Sequence, residues 1–430
     1  MRENLRREFE EEINRLAISF KGNDDLEELI EKAGDKKVVM LGEATHGTHE
    51  FYNWRAKITK RLIEEKGFNI IGVEGDWPDC YEINRYIKNY EDSGDNAAQV
   101  LKGFNRWPAW MWSNWEIVEL TEWLRKYNDG RKHKKAGFYG LDVYSLWESM
   151  DALYDFLKER DPKGAEAAKE AMLCFEPFER EPGDYARSLS FVPEGCEKEV
   201  TSLLARIRAN RPEYRDGEYE LNVLQNAEVI ANAEKYYRAM ISGGMNSWNV
   251  RDTHMNETIS RLIKNNNEKI IVWAHNTHIG DARATDMKRS GSINIGQLAR
   301  ETFGDENVFL LGLGMYRGTV IAGDSWGAQM KVMNVPESRE ASFDQIVQST
   351  GNGDCYMIFD DNTKALYNKT EQRAIGVVYN PGQERFGNYV PSVIAQRYDA
   401  YMFFDNTEAV YPMQISADSH KEPETYPWGI

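Results

Sequence analysis

Glu43, His46, His49, Glu50 and Arg55 fall within one short stretch, LGEATHGTHEFYNWR (41–55), directly behind the apolar run Val38-Val39-Met40-Leu41. A neutral histidine can take a proton from water near neutral pH, because its unperturbed pKa is about 6.5. A nearby carboxylate, Glu43 or Glu74, can fix the ring's tautomer and stabilise the imidazolium as it forms, much as the acid does in a serine triad. Three more polar endings follow β-rich runs: Glu74 in VEGDW, Asp142 after AGFYGL, and His275-Asn276-Thr277-His278 after KIIVWA. Open parallel sheets bind ligands at the carboxyl ends of their strands. The four endings therefore predict one pocket with titratable walls. Four of the seven histidines lie in two of them.

Each residue also has a plain structural use. Glu74 could pair with Arg55, His49 and His278 could be satisfied structural histidines, and Asp142 could cap a helix. Three rival chemistries use the same residues or their neighbours. Two His-x-x-His pairs with Glu43, Glu50 and Glu74 could hold zinc, although the helix expected at 53–68 begins after the histidines. GDSWG (323–327) matches the nucleophile-elbow pattern around Ser325, with His420 following near the C-terminus. An elbow must pass into a helix, and AQMKVMNVP is a poor one. GTVIAGDSWGAQMKVMNV reads better as a hairpin. The third rival is a non-enzymatic protein that binds a glycan or metabolite, with His46 and His275 serving only as hydrogen-bonding groups.

The elements that must position these groups are visible as short apolar runs: KVVML, NIIGVE, AGFYGL, KIIVWA, NVFLLGL, GTVIA, CYMIF, AIGVVY and AYMFF. Several are nearly continuously apolar, as strands buried on both faces are. The helical segment 53–68, with Gly67 as its C-cap, joins the first two and makes them parallel. About 125 residues between the third and fourth runs carry helical patterns and no strand. The expected architecture is one domain, 1–430. It is a three-layer α/β/α fold with a mostly parallel central sheet, and a helical insertion, 143–262, frames the cleft. EPFEREPGDYARSLSFVPEG, in the middle of the insertion, reads as a loop.

An aromatic run, FNRWPAWMWSNW, supplies Trp107, Trp110 and Trp112 as candidate apolar walls for a bulky ligand. NSWNVRDTHM returns the insertion to the core and offers Asn249 and Arg251. Asp142 and Asn276 complete the candidate substrate-binding set. The bulk composition narrows the partners. Lys+Arg total 53 against 70 Asp+Glu, a formal charge of −17, which argues against nucleic acid and anionic membranes. No window approaches eighteen apolar residues, and the N-terminus lacks a signal peptide's apolar core. Cys80, Cys174, Cys196 and Cys355 form no CxxC pair and read as free thiols of a cytoplasmic protein.

LGEATHGTHEFYNWRAKITKRLIEEKGF, VEGDWPD, SWNVRDTHM and VWAHNTHIGDARATDM together resemble the erythromycin esterase family, in matching order over roughly residues 38 to 322. The resemblance implies an α/β/α core with a helical portion over a deep cleft. It also implies hydrolysis of a macrolactone ester by water, without an acyl-enzyme or a cofactor. Carried over residue by residue, it makes His46 the general base and Glu43 the glutamate of the Gly-Glu-x-x-His-Gly motif. Arg55 is then the arginine of the following helix, Glu74 the acid at the second strand end, and His275 the histidine of Ala-His-Asn. The reading is a hydrolase for a bulky or cyclic carboxylic ester, acting on a small molecule and needing no metal. His275 or Arg55 is expected to steady the oxyanion.

Overall fold

Side chains alternate across a strand, and here both faces are apolar. Val39, Leu41, Ile71, Val73, Ile271 and Trp273 enter one core, while Val38, Met40, Ile70, Ile270 and Val272 enter another. A sheet built from such strands must be covered on both sides. The structure is a computed structural model that describes residues 3–178, 182–191, 195–210, 217–241, 246–264, 268–360 and 362–413. Its strands are β1 (Ile18–Ser19), β2 (Val38–Leu41), β3 (Ile70–Val73), β4 (Gly137–Gly140), β5 (Ile270–Trp273), β6 (Val308–Ala322), β7 (Lys331–Val335), β8 (Cys355–Ile358), β9 (Thr370–Arg373), β10 (Tyr389–Ser392) and β11 (Ala400–Thr407).

Nine of them form one sheet in the order β1-β8-β11-β6-β2-β5-β3-β4, with β7 antiparallel to the end of β6. The five pairings from β11 to β4 are parallel, so the sheet is mostly parallel as expected. β2 and β3 are parallel but not neighbours, because β5 lies between them. Register then does the assembling. Leu41 pairs with Trp273, Trp273 with Val73, and Val73 with Gly140. The residues that follow these four positions therefore emerge side by side at one edge.

Several expected elements differ in detail. NVFLLGL and GTVIA are one long strand, β6, and GTVIA pairs with β7 in the expected hairpin. AIGVVY is not a strand. Its Ile375 N–H instead donates to the Ala44 carbonyl at 2.8 Å, bracing the turn that carries His46. The first long helix runs from His49 to Lys66 and ends on Gly67 at φ +75°. It starts four residues earlier than expected, which puts His49 and Glu50 in its first turn.

Between β4 and β5 the described residues form helices, among them Leu146–Arg160, Pro162–Phe175, Glu197–Asn210, Gly217–Ile241 and Asn246–Leu262, and no strand. Their apolar faces make a third core around Leu153, Leu203 and Tyr237. The stretch expected to be a loop holds a short helix, Pro182–Ser188. A disulfide joins Cys174 to Cys196, while Cys80 and Cys355 are free and buried. This corrects the expectation of four free thiols and removes the basis on which a reducing compartment was expected. Among the described residues no helix is long and apolar enough to cross a membrane.

Candidate active site

The turn after β2 is pinned on three sides before it presents any chemistry. Asn276 N–H donates to Glu43 O at 2.8 Å, Ile375 N–H to Ala44 O at 2.8 Å, and Ile321 N–H to Gly47 O at 3.0 Å. Gly47 is required there, because a Cβ would collide with the Ile321 backbone. The turn thus holds His46 in a fixed place, 4 % exposed. His46 Nδ1 donates to Glu43 Oε1 at 2.9 Å, and Arg55 Nη2 donates to Glu43 Oε2 at 2.6 Å. A carboxylate only accepts, so Nδ1 carries a proton and Nε2 is the ring nitrogen turned away from Glu43. Arg55 is wholly buried between the rings of Tyr52 (4.6 Å) and Trp273 (4.7 Å). It serves Glu43 and does not line the cleft, so it is placed to fix the acid rather than to meet an oxyanion.

A second cluster sits at the ends of β3, β4 and β5. Glu74 Oε2 accepts the His275 backbone N–H at 2.8 Å. Glu74 Oε1 accepts from Arg251 Nη2 at 2.7 Å and lies 3.3 Å from His278 Nε2. Arg251 also grips both oxygens of Asp142, at 2.9 and 2.7 Å. His278 Nδ1 donates to Asp252, 3.0 Å from each oxygen. Burial alone would raise the Glu74 pKa, but His278, Arg251 and His46 hold it well below the usual carboxylate range. Burial alone would lower the His278 pKa, but Asp252 and then Glu74 push it up to about 9. His275 is driven well below the ordinary histidine range, first by burial and then by His46. Its Nδ1 accepts the Thr277 N–H at 3.2 Å, so the ring is neutral with its proton on Nε2. The His46 and His275 rings are 4.9 Å apart.

These groups meet at a cleft of about 660 Å³. Of the residues singled out in the sequence, His46, Glu74, Asp142, Arg251, Trp107 and Trp112 line it. Glu43, Arg55 and His275 lie behind that wall. Trp110 is packed in the core, 1 % exposed, and forms no part of the wall. Asn276 is also elsewhere. Its side chain donates to Leu313 O at 2.7 Å and accepts Leu313 N–H at 3.3 Å, stitching the end of β5 to β6. Asn249 caps a neighbouring loop at Gly291 and Ile293.

The sequence reading missed Trp248, Tyr144, Tyr236 and Trp326 in the wall. Trp248 stacks on His278 at 4.4 Å, nearly parallel, and Trp326 meets Trp107 edge-on at 5.4 Å. Trp248 lay in the quoted NSWNVRDTHM segment, and its helical neighbourhood with Arg251 was the available signal. Asp252, in the same segment, was quoted without a role.

The two His-x-x-His segments do not act as pairs. His46 turns to Glu43, whereas His49 Nδ1 bonds Glu116 at 2.6 Å on the outer side of the helix. Glu50 accepts the Glu408 backbone N–H. Among the described residues no three His, Cys, Asp or Glu side chains converge as metal ligands. Ser325 sits exposed in the β6–β7 hairpin turn, its hydroxyl donating to Asp324 and its carbonyl accepting the Ala328 N–H, and His420 lies outside the described residues.

A family profile described as Erythromycin esterase matches residues 63–407. Erythromycin esterase type II of Escherichia coli is 26% identical over 385 residues, covering 82% of this chain and 88% of its own. A putative hydrolase of Bacillus subtilis (strain 168), YbfO, is 20% identical over 413 residues, covering 91% and 88%. Among solved structures, a Bacillus cereus protein superposes with a TM-score of 0.80 at 19% identity, over 95% of this chain and 99% of that one. A mutant erythromycin esterase in its open conformation superposes with a TM-score of 0.67 at 17% identity, over 92% and 97%.

Proposed function

The chain belongs to the erythromycin esterase family, and on that footing we propose that it hydrolyses a bulky or cyclic carboxylic ester with water activated by His46. The family carries the coarse statement, an ester hydrolase. One observation supports the mechanism: His46 lines the cleft with Nε2 free as a base, while Glu43 holds its Nδ1 proton and Arg55 holds Glu43. In this reading His46 takes a proton from water as the oxygen attacks the ester carbonyl. Glu43 steadies the imidazolium that results. The proton then returns to the leaving alkoxide. His275 Nε2 is buried and the residue lies behind the cleft wall, so in this reading His275 supports His46 from behind and does not meet the oxyanion. The aromatic walls and the volume of the cleft suit a bulky apolar substrate, and the Escherichia coli relative's name makes macrolactones the first compounds to try.

Ester turnover, with product mass, compared for wild type and His46→Asn is the test. We expect His46→Asn to keep the fold and lose at least about 10²-fold in turnover, the low end for general-base catalysis. Undiminished turnover would remove His46 from the role.

A further inference from the structure

His278 Nε2 lies between two groups that it cannot satisfy in one protonation state. Glu74 Oε1, at 3.3 Å, can only accept a proton. Arg251 Nη1, at 3.1 Å, can only donate one. A protonated ring therefore turns Nε2–H to Glu74, and a neutral ring takes Nη1–H from Arg251. The group that decides between them is on the other side of the ring. Asp252 is fully buried, and both its oxygens lie 3.0 Å from His278 Nδ1. Arg251, the preceding residue in the helix, directs its hydrogen bonds to Glu74 and Asp142, with Nη1 3.1 Å from His278 Nε2. Among the described residues, Asp252 also accepts the Ile295 backbone N–H, at 3.0 Å. A buried carboxylate needs a charge partner, and His278 is the one in contact. Trp248 covers the His278 face toward the cleft at 4.4 Å, so solvent does not replace either partner.

We propose that Asp252 is a positioning residue for the hydrolysis. By holding His278 as an imidazolium, it gives Glu74 a second cationic partner besides Arg251 and keeps the Glu74 carboxylate fixed against the His275 backbone. The inference rests on the hydrolase reading for its catalytic consequence, but its structural half stands apart from it. The groups facing His278 are Asp252 and Arg251 from the helix Asn246–Leu262, Glu74 from the end of β3, and His275 from its own turn. Asp142 acts on it through Arg251. Raising the pH removes the imidazolium proton, hands Nε2 to Arg251 and withdraws a partner from Glu74. The rate should therefore hold up to the alkaline titration of His278, near 9, and fall beyond it.

Imidazole ¹H–¹⁵N NMR of the full chain reads the structural half directly. The seven histidines are resolved by comparison with His278→Gln. We expect His278 to be doubly protonated at pH 7 in wild type, and its midpoint to fall by at least about one pH unit, tenfold in proton affinity, in Asp252→Asn. Ester pH–rate profiles read the catalytic half. Asp252→Asn should move the alkaline limb down with the NMR midpoint and lower kcat more than it raises KM, and Asp252→Glu should restore part of both. A neutral His278 at pH 7 in wild type, which needs no variant, would overturn the inference. So would an alkaline limb unmoved in Asp252→Asn. If the NMR shift appears and wild type turns over no ester, the hydrolase reading fails and the hold of Asp252 on His278 survives.

Discussion

Changing Glu43 to glutamine should damage the protein in two separable ways. Arg55 is wholly buried, and among the described residues its carboxylate partner is Glu43 at 2.6 Å. Removing one partner of a buried ion pair typically costs about 3–5 kcal/mol, because the remaining charge is stranded. The Tyr52 and Trp273 rings, at 4.6 and 4.7 Å, retain some hold on the guanidinium, a contribution of order 1 kcal/mol. The expected loss is therefore about 3 kcal/mol, read by urea unfolding with tryptophan fluorescence and circular dichroism together. The neutral amide also no longer balances an imidazolium at His46, so turnover should fall by at least about 10²-fold. Adding Arg55→Met removes the stranded charge and keeps a long apolar side chain between the rings. The double variant should regain most of the lost stability and none of the turnover, since the two residues share one interaction. A single variant as stable as wild type would refute the account of Arg55. A double variant that regains activity would refute the account of Glu43.

Two further outcomes follow from the same geometry. Ser325→Ala should leave ester turnover within about twofold, because Ser325 is exposed in a hairpin turn and its hydroxyl donates to Asp324, not to a histidine; labelling of Ser325 by a fluorophosphonate, with loss of activity, would reverse that. Reducing the Cys174–Cys196 link, which closes a loop of sequence separation 22, should destabilise the helical insertion by about 3 kcal/mol. Alkylation of the unreduced, unfolded protein should tag two cysteines, and tagging of four would show the link to be absent.

The parallel core was legible because β2, β3, β4 and β5 are apolar on both faces, a pattern that few other elements share. The site was legible for a related reason. Glu43, Glu74, Asp142 and His275 each follow a strand directly, and parallel register turns adjacency in sequence into adjacency in space. What failed depended on side-chain direction. Trp107, Trp110 and Trp112 belong to one irregular segment, and no periodicity says that Trp110 turns into the core while the others face the cleft. Asn276 looked like a ligand residue because it stands beside His275, yet its amide mimics a missing strand pairing with Leu313. AIGVVY had a strand's composition, but it meets its neighbours only at isolated bridges such as Thr45 with Ile375. The Cys174–Cys196 pairing depends on two helices folding against one another, which spacing alone does not specify.

The charges around the cleft give the proposed reaction a physical direction. Glu43, Glu74, Asp142 and Asp252 are four buried carboxylates, and Arg55, Arg251 and His278 are the three buried cations among them. Each carboxylate has a cationic partner: Glu43 has Arg55, Glu74 has Arg251 and His278, Asp142 has Arg251, and Asp252 has His278. Buried charge is costly when unbalanced, and His46 lies against this paired cluster through its contact with Glu43. In the proposed reaction the proton taken by His46 is matched by the negative charge that passes to the attacking oxygen, so the total charge of the site is unchanged and Glu43 steadies the imidazolium. His275 cannot take that proton as readily, because Thr277 occupies its Nδ1 and burial opposes its charge. Two histidines 4.9 Å apart thereby have different partners, Glu43 at His46 and Thr277 at His275, and the proposal that His46 is the base rests on that difference.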